Sequence, residues 1–194
     1  MSFINYNDKE LNFKIVYYGS PLSGKTTSLK YLHQKRGGKP GDKLNVETGT
    51  ERTLFFDFVP FFLSEVNGYK TRFHLYTVPG QVLYDDSRRL ILKGVDGIIF
   101  VVDSRVEKMD ANLRSLENLK TNLKEEGLAF DQIPILFQYN KRDLPHTANL
   151  EALRKLINPQ KLPEIETVAI KGEGVFEAFK QIAKAVMKDQ AKPS

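Results

Sequence analysis

The stretch Gly19-Ser20-Pro21-Leu22-Ser23-Gly24-Lys25-Thr26 constrains this chain more than any other. It reads G-x-x-x-x-G-K-T. Before it, Phe13–Tyr18 is β-branched and aromatic, which predicts a strand; after it, Leu29 and Leu32 continue as a helix. A strand, a glycine-bracketed turn and a helix N-terminus make a phosphate cradle. The turn aims the backbone around Leu22, Ser23 and Gly24 at a β-phosphate. Lys25 adds a point charge, Thr26 a hydroxyl for Mg²⁺, and the helix start at Thr26 and Thr27 the positive end of a dipole.

The other segments fit an α/β fold. Strand and helix patterns alternate, which predicts a mostly parallel sheet with helices on both faces. With 194 residues and 41% hydrophobic content, one domain over residues 1–194 is expected. Residues 1–10 read as an N-terminal extension and 188–194 as a tail, both flexible. Residues 36–50 read as a loop. The apolar stretch Leu54–Leu63 contains Pro60, which belongs at a sheet edge or a bulge. Asn67-Gly68 signals a hairpin, and the return strand alternates Phe73 and Leu75 with Arg72 and His74. Asp96–Asp103 encloses an apolar run that suits a buried parallel strand. Leu113 to Leu123 predicts a helix, Ile133–Tyr139 a strand, Leu150–Ile157 a short helix, Ile165–Ile170 a last strand, and Val175 to Met187 a C-terminal helix.

Composition narrows the functional classes. There is no cysteine, hence no disulfide framework or cysteine metal site, which fits a reducing cytoplasm. No apolar run approaches the roughly 20 residues of a membrane span. The second residue is Ser2, so no lipid anchor of the myristoyl type is expected, nor a prenyl group. The net charge of +5 is spread along the chain without clustered stacking aromatics, which argues against nucleic acid. His33, His74 and His146 have no partners at metal-ligand spacing.

Two further motifs carry chemistry. Asn140-Lys141-Arg142-Asp143 falls at the C-terminal end of a predicted strand, where open α/β sheets bind ligands. A carboxylate at Asp143 can accept from a base that presents N1–H and an exocyclic amine, as guanine does and adenine does not. Asn140 can bridge back to the phosphate loop, and the Lys141 stem can cover the base. Thr77-Val78-Pro79-Gly80-Gln81 follows the hairpin, where guanine-nucleotide switches carry D-x-x-G-Q. There the Gly80 N–H reaches a γ-phosphate and Gln81 orients water. Thr77 replaces the aspartate.

With these motifs in this order, the chain resembles Ras-like small GTPases. Lys14–Gly19, Arg52–Phe58, Thr71–Gln81 and Leu90–Gly97 narrow the resemblance to bacterial polarity GTPases of the MglA type, over nearly the whole chain. The resemblance implies a single-domain P-loop GTPase fold: a six-stranded, mostly parallel sheet with one antiparallel edge strand. It implies a slow GTP-to-GDP switch with Mg²⁺, with Thr53 as a second metal ligand and Arg52 as an arginine supplied from the same chain. The backbone of Ala169 and Ile170 would read the guanine O6; of the usual S-A-K only the alanine is kept. It also implies a monomer activated by an MglB-type roadblock dimer, read by RomR-type polarity effectors, and recruited from the cytoplasm to a cell pole to control type IV pili or gliding. Pro21 stands where this family usually has glycine, and proline supplies no N–H. A GTP-bound scaffold with little hydrolysis therefore stays open as an alternative. A P-loop kinase would need an acceptor site and an arginine-rich lid, and the sequence offers neither.

Overall fold

A computed structural model of the chain describes residues 3–5, 9–37, 58–66, 68–79 and 85–190. Its centre is a sheet with strand order β3-β4-β2-β5-β6-β7. These strands are β2 (Glu10–Tyr18), β3 (Phe58–Val66), β4 (Tyr69–Thr77), β5 (Gly97–Asp103), β6 (Ile135–Asn140) and β7 (Glu164–Glu166). All neighbours run parallel except β3, which pairs antiparallel with β4 at the edge. The sheet is thus the expected six-stranded one. A three-residue strand, β1 (Phe3–Asn5), adds to it by pairing antiparallel with Glu10–Asn12, upstream of where β5 joins β2.

Side-chain alternation along β2 divides the core into two layers. Phe13, Ile15 and Tyr17 face α1 (Lys25–Lys35) and α5 (Val175–Gln190), where Leu29, Leu32, Phe179 and Ile182 meet them. Val16 and Tyr18 face α2 (Asp85–Leu92), α3 (Met109–Glu125) and α4 (Leu150–Ile157). Every residue of β5 and β6 is buried, as expected of strands covered on both faces. No described helix is long and apolar enough to cross a membrane.

Pro60 lies on the edge strand, and the β3–β4 register shifts between Phe62 and Glu65. Phe61 anchors that edge to α5 through Phe179, with ring centroids 4.6 Å apart. On β4, Phe73 and Leu75 are buried while Arg72 and His74 lie on the half-exposed face. Two expected boundaries move. Leu54–Asp57 lie outside the described residues, and β3 runs on to Val66. The last strand stops at Glu166 instead of continuing to Ile170, because the chain turns back in a bridge between Val168 and Glu173.

His74 titrates below the ordinary histidine value, first through partial burial and then through the nearby Arg72 charge, with Glu10 opposing. The folded state therefore favours the neutral ring. Stability from this group is complete above the unfolded value, about 6.5, and is lost as pH falls through the lower folded value. His74→Asn is expected to flatten part of the fall in melting temperature between neutral and mildly acidic pH. Identical slopes for the two proteins would remove the assignment.

Candidate nucleotide site

The phosphate loop lies between the C-terminal end of β2 and α1. Gly19 and Gly24 hold φ of 140° and 110°, angles that side-chain-bearing residues rarely adopt. A Cβ on Gly19 would lie 2.2 Å from the Val101 carbonyl oxygen, and one on Gly24 would lie 2.1 Å from Asn140 Nδ2. Glycine is thus required at both ends of the turn by conformation and by space.

Between them the Ser23 N–H donates to the Ser20 carbonyl at 3.3 Å, closing a four-residue turn. Pro21 pre-sets the second position of that turn. Leu22 holds the third at φ 60° and is 83% exposed. A leucine there is strained. Lys25 is buried, and its Nζ donates to the carbonyls of Gly19 and Ser20 at 2.9 and 2.8 Å. Helix α1 begins without a side-chain cap and with no acid in its first turn, where Thr26 is exposed and Thr27 half-buried. Ser23 Oγ is buried without a hydrogen-bond partner among the described residues. A glycine-walled turn at an uncapped helix N-terminus fits an anion.

Asn140 draws this loop to two others. Its Nδ2 donates to the Ser23 carbonyl at 2.7 Å, and its Oδ1 accepts from the Ala169 N–H at 2.9 Å and from Thr167 Oγ1 at 3.1 Å. The residue is 2% exposed. One side chain at the end of β6 thereby holds the phosphate loop and the loop after β7 in fixed relation. Gln138, two residues earlier, donates to Ser28 Oγ on α1 at 3.0 Å. Asp143 follows in the turn after β6, with Lys171 Nζ 3.6 Å from its carboxylate. Ala169 is buried, while Ile170 is 82% exposed beside it.

Sequence reasoning missed the partner of Lys141. The side chain of Asp103, at the C-terminal end of β5, has no exposed surface. It accepts from Lys141 Nζ at 2.7 Å and from Arg105 Nη2 and Nε at 2.8 and 3.1 Å. Burial alone would raise this carboxyl; the bonds from Arg105 and Lys141 outweigh it and hold it below its ordinary value. The pair fixes Lys141, whose own φ is 67°. The signal was an aspartate ending a buried strand beside the one that carries Asn140.

Thr77 is buried at the end of β4, paired with Tyr17. Gly80, Gln81, Arg52 and Thr53 lie outside the described residues. Among the described residues, no group of three His, Asp or Glu is gathered to hold a metal.

A parallel sheet whose central strand leads through such a loop into a helix is the frame of a P-loop nucleotide-binding domain. A model of the ADP-ribosylation factor family matches residues 2–186. The chain is a small GTPase belonging to that family, and within it is of the MglA type. It is 55% identical over 193 residues to "Mutual gliding-motility protein MglA" of Myxococcus xanthus (strain DK1622), covering 99% of each chain. It is 27% identical over 184 residues to "ADP-ribosylation factor-like protein 4A" of Homo sapiens, covering 91% of this chain and 84% of that one. It is 25% identical over 181 residues to "Ras-related protein Rab-5B" of Plasmodium falciparum (isolate 3D7), covering 93% and 80%.

Proposed function

We propose that this chain is a guanine-nucleotide switch that hydrolyses GTP to GDP slowly and sets cell polarity in motility. The observation that carries the nucleotide reading is the triple bond set of Asn140. It ties together the phosphate loop, the strand end that leads to Asp143, and the Ala169 backbone. In this reading Gly19, Leu22, Ser23, Gly24, Lys25, Thr26 and Thr27 hold the phosphates. Asn140, Lys141, Asp143, Ala169 and Ile170 hold guanine. Thr26 and Thr53 hold Mg²⁺, which when bound neutralises charge on the phosphates.

Hydrolysis proceeds by positioning and charge, without a covalent intermediate. Lys25 faces the phosphate oxygens, the Gly80 N–H reaches the γ-phosphate, Gln81 orients the attacking water, and Arg52 meets the charge that develops in transit. The similarity to a gliding-motility protein supports the motility role. The reading extends to an MglB-type roadblock dimer as activator, RomR-type effectors as readers, and a cytoplasmic monomer recruited to a cell pole. The domain extends over residues 1–194; the ends expected to be flexible, 1–10 and 188–194, overlap β1, the start of β2 and the last turn of α5.

Calorimetry should register GDP and GTP and not ATP; equal heats for adenine and guanine nucleotides would sink this reading. Gln81→Leu should slow single-turnover hydrolysis by about a hundredfold, a common cost of losing one catalytic group, while sparing affinity.

The turn at Ser20–Ser23 favours a second reading, a GTP-bound scaffold. Pro21 brings no N–H, and the Ser23 N–H is engaged within the loop. Phosphate release with and without the roadblock partner separates the two. A rate that stays flat in both arms selects the scaffold.

A further inference from the structure

Arg88, on α2, is only 5% exposed. A buried guanidinium is costly unless its donors find acceptors. Its Nε donates to the Pro79 carbonyl at 3.0 Å and its Nη1 to Asn118 Oδ1 at 2.6 Å. That same Oδ1, on α3, accepts the Tyr18 hydroxyl at 2.5 Å and Asn122 Nδ2 at 3.3 Å. Asn122 Nδ2 also reaches the Tyr18 oxygen at 3.1 Å. Tyr18 is the last residue of β2, and the carbonyl of the next residue, Gly19, holds Lys25 Nζ.

The chain of bonds therefore begins at the entry to the phosphate loop, crosses α3, and ends on α2 and on the peptide just after β4. A second α2–α3 tie, Arg89 to Glu125 at 3.2 Å, is 45% exposed on both sides. Exposed pairs of that kind contribute little. The buried link through Arg88 dominates.

We propose that Arg88 is a positioning residue for turnover of bound GTP: through Asn118 and Tyr18 it fixes α2 and the Pro79 peptide relative to the phosphate loop. The proposal rests on the GTPase reading above. The link is made of hydrogen bonds in a low-dielectric layer, where geometry is held tightly. Nucleotide affinity depends on other bonds, those of Lys25 and Asn140. Losing the link is therefore expected to change rate far more than binding.

The test uses the full chain and five variants: Arg88→Met, Asn118→Leu, the two combined, Arg88→Lys and Tyr18→Phe. Readouts are fluorescent-GDP affinity, single-turnover GTP hydrolysis and melting temperature. Arg88→Met and Asn118→Leu should each slow hydrolysis about tenfold, the scale of one lost charge-assisted hydrogen bond, with GDP affinity within about twofold. The double variant should be no slower than either single, since both cut one link. Arg88→Lys should recover part of the rate. A folded Arg88→Met that hydrolyses normally overturns the proposal, as does a double variant whose effects multiply. Affinity falling in step with rate overturns it too, because Arg88 would then only support the fold. If Arg88→Met does not fold, Tyr18→Phe decides. It removes one hydroxyl and keeps the ring stacked on Phe100, centroids 6.4 Å apart, and an unchanged rate overturns the proposal. If the parent chain turns over no GTP, the GTPase reading fails first and takes this proposal with it, a result distinct from a normal parent with an unaffected Arg88→Met.

Discussion

Replacing Asn140 by alanine is expected to raise nucleotide dissociation more than a hundredfold and to lower the melting temperature of the free protein. Three bonds vanish together. The Ser23 carbonyl loses its donor, and the Ala169 N–H and the Thr167 hydroxyl lose their acceptor. Asn140 is 2% exposed and Ala169 4%, so water reaches these groups poorly. Each buried group left unpaired costs about 1–3 kcal/mol. Even the low end, about 3 kcal/mol in total, corresponds to more than a hundredfold in an equilibrium constant.

The two effects separate by experiment. Fluorescent-GDP release reports on the site, and thermal unfolding without nucleotide reports on the scaffold. Asn140→Asp is the sharper variant: it keeps an acceptor for Ala169 and Thr167 but turns a second oxygen toward the Ser23 carbonyl. It should melt higher than the alanine variant and still release nucleotide fast. Release as slow as in the parent chain would mean that the phosphate loop is held by something else.

What could be read in advance divides along physical lines. The phosphate loop was legible because its constraint is local. Gly19 and Gly24 are needed by their own φ angles, and glycines at fixed spacing record that in the sequence. Strand β5 was legible because burial on both faces leaves an unbroken apolar run. Strand β3 was legible as an element but not in its limits, since Phe and Val on both sides of Pro60 give no period of two to mark where pairing begins.

The end of β7 was hidden for another reason. Ile165–Ile170 has strand-forming residues, yet the Ala169 N–H goes to Asn140 and Val168 bridges to Glu173. Tertiary bonds overrode propensity. The pairing of Asp103 with Lys141 left only a faint trace, an aspartate ending a buried strand, and the link from Arg88 through Asn118 to Tyr18 left none. They join residues 38, 30 and 100 positions apart, and no single sequence encodes which polar residues meet across a sheet.

Asp143→Asn is expected to exchange guanine preference for xanthine preference. Asp143 sits in the turn that follows β6, and the backbone there is fixed by the Leu144 N–H to Lys141 carbonyl bond at 3.2 Å and by Arg142, which donates to Glu166 and to the Ala148 carbonyl, both at 2.8 Å. A carboxylate so placed offers two acceptors, which match the N1–H and 2-amino donors of guanine. An asparagine offers one acceptor and one donor, which match N1–H and the 2-oxo group of xanthine. The mismatched pair leaves a donor facing a donor, so the penalty is that of unpaired polar groups, not merely of one lost bond.

GTP affinity should fall by roughly a thousandfold or more, between the cost of one missing bond and the large rejections of sites built around a polar group; XTP affinity should rise. Lys171 provides the control. Its side chain is 56% exposed and its Nζ lies 3.6 Å from the carboxylate, so Lys171→Met should change GTP affinity by less than about fivefold, as exposed ion pairs do. If Asp143→Asn keeps the parent's preference for GTP over XTP, this aspartate does not read the base. If Lys171→Met proves as damaging as Asp143→Asn, it is the pair, and not the carboxylate alone, that faces the ligand.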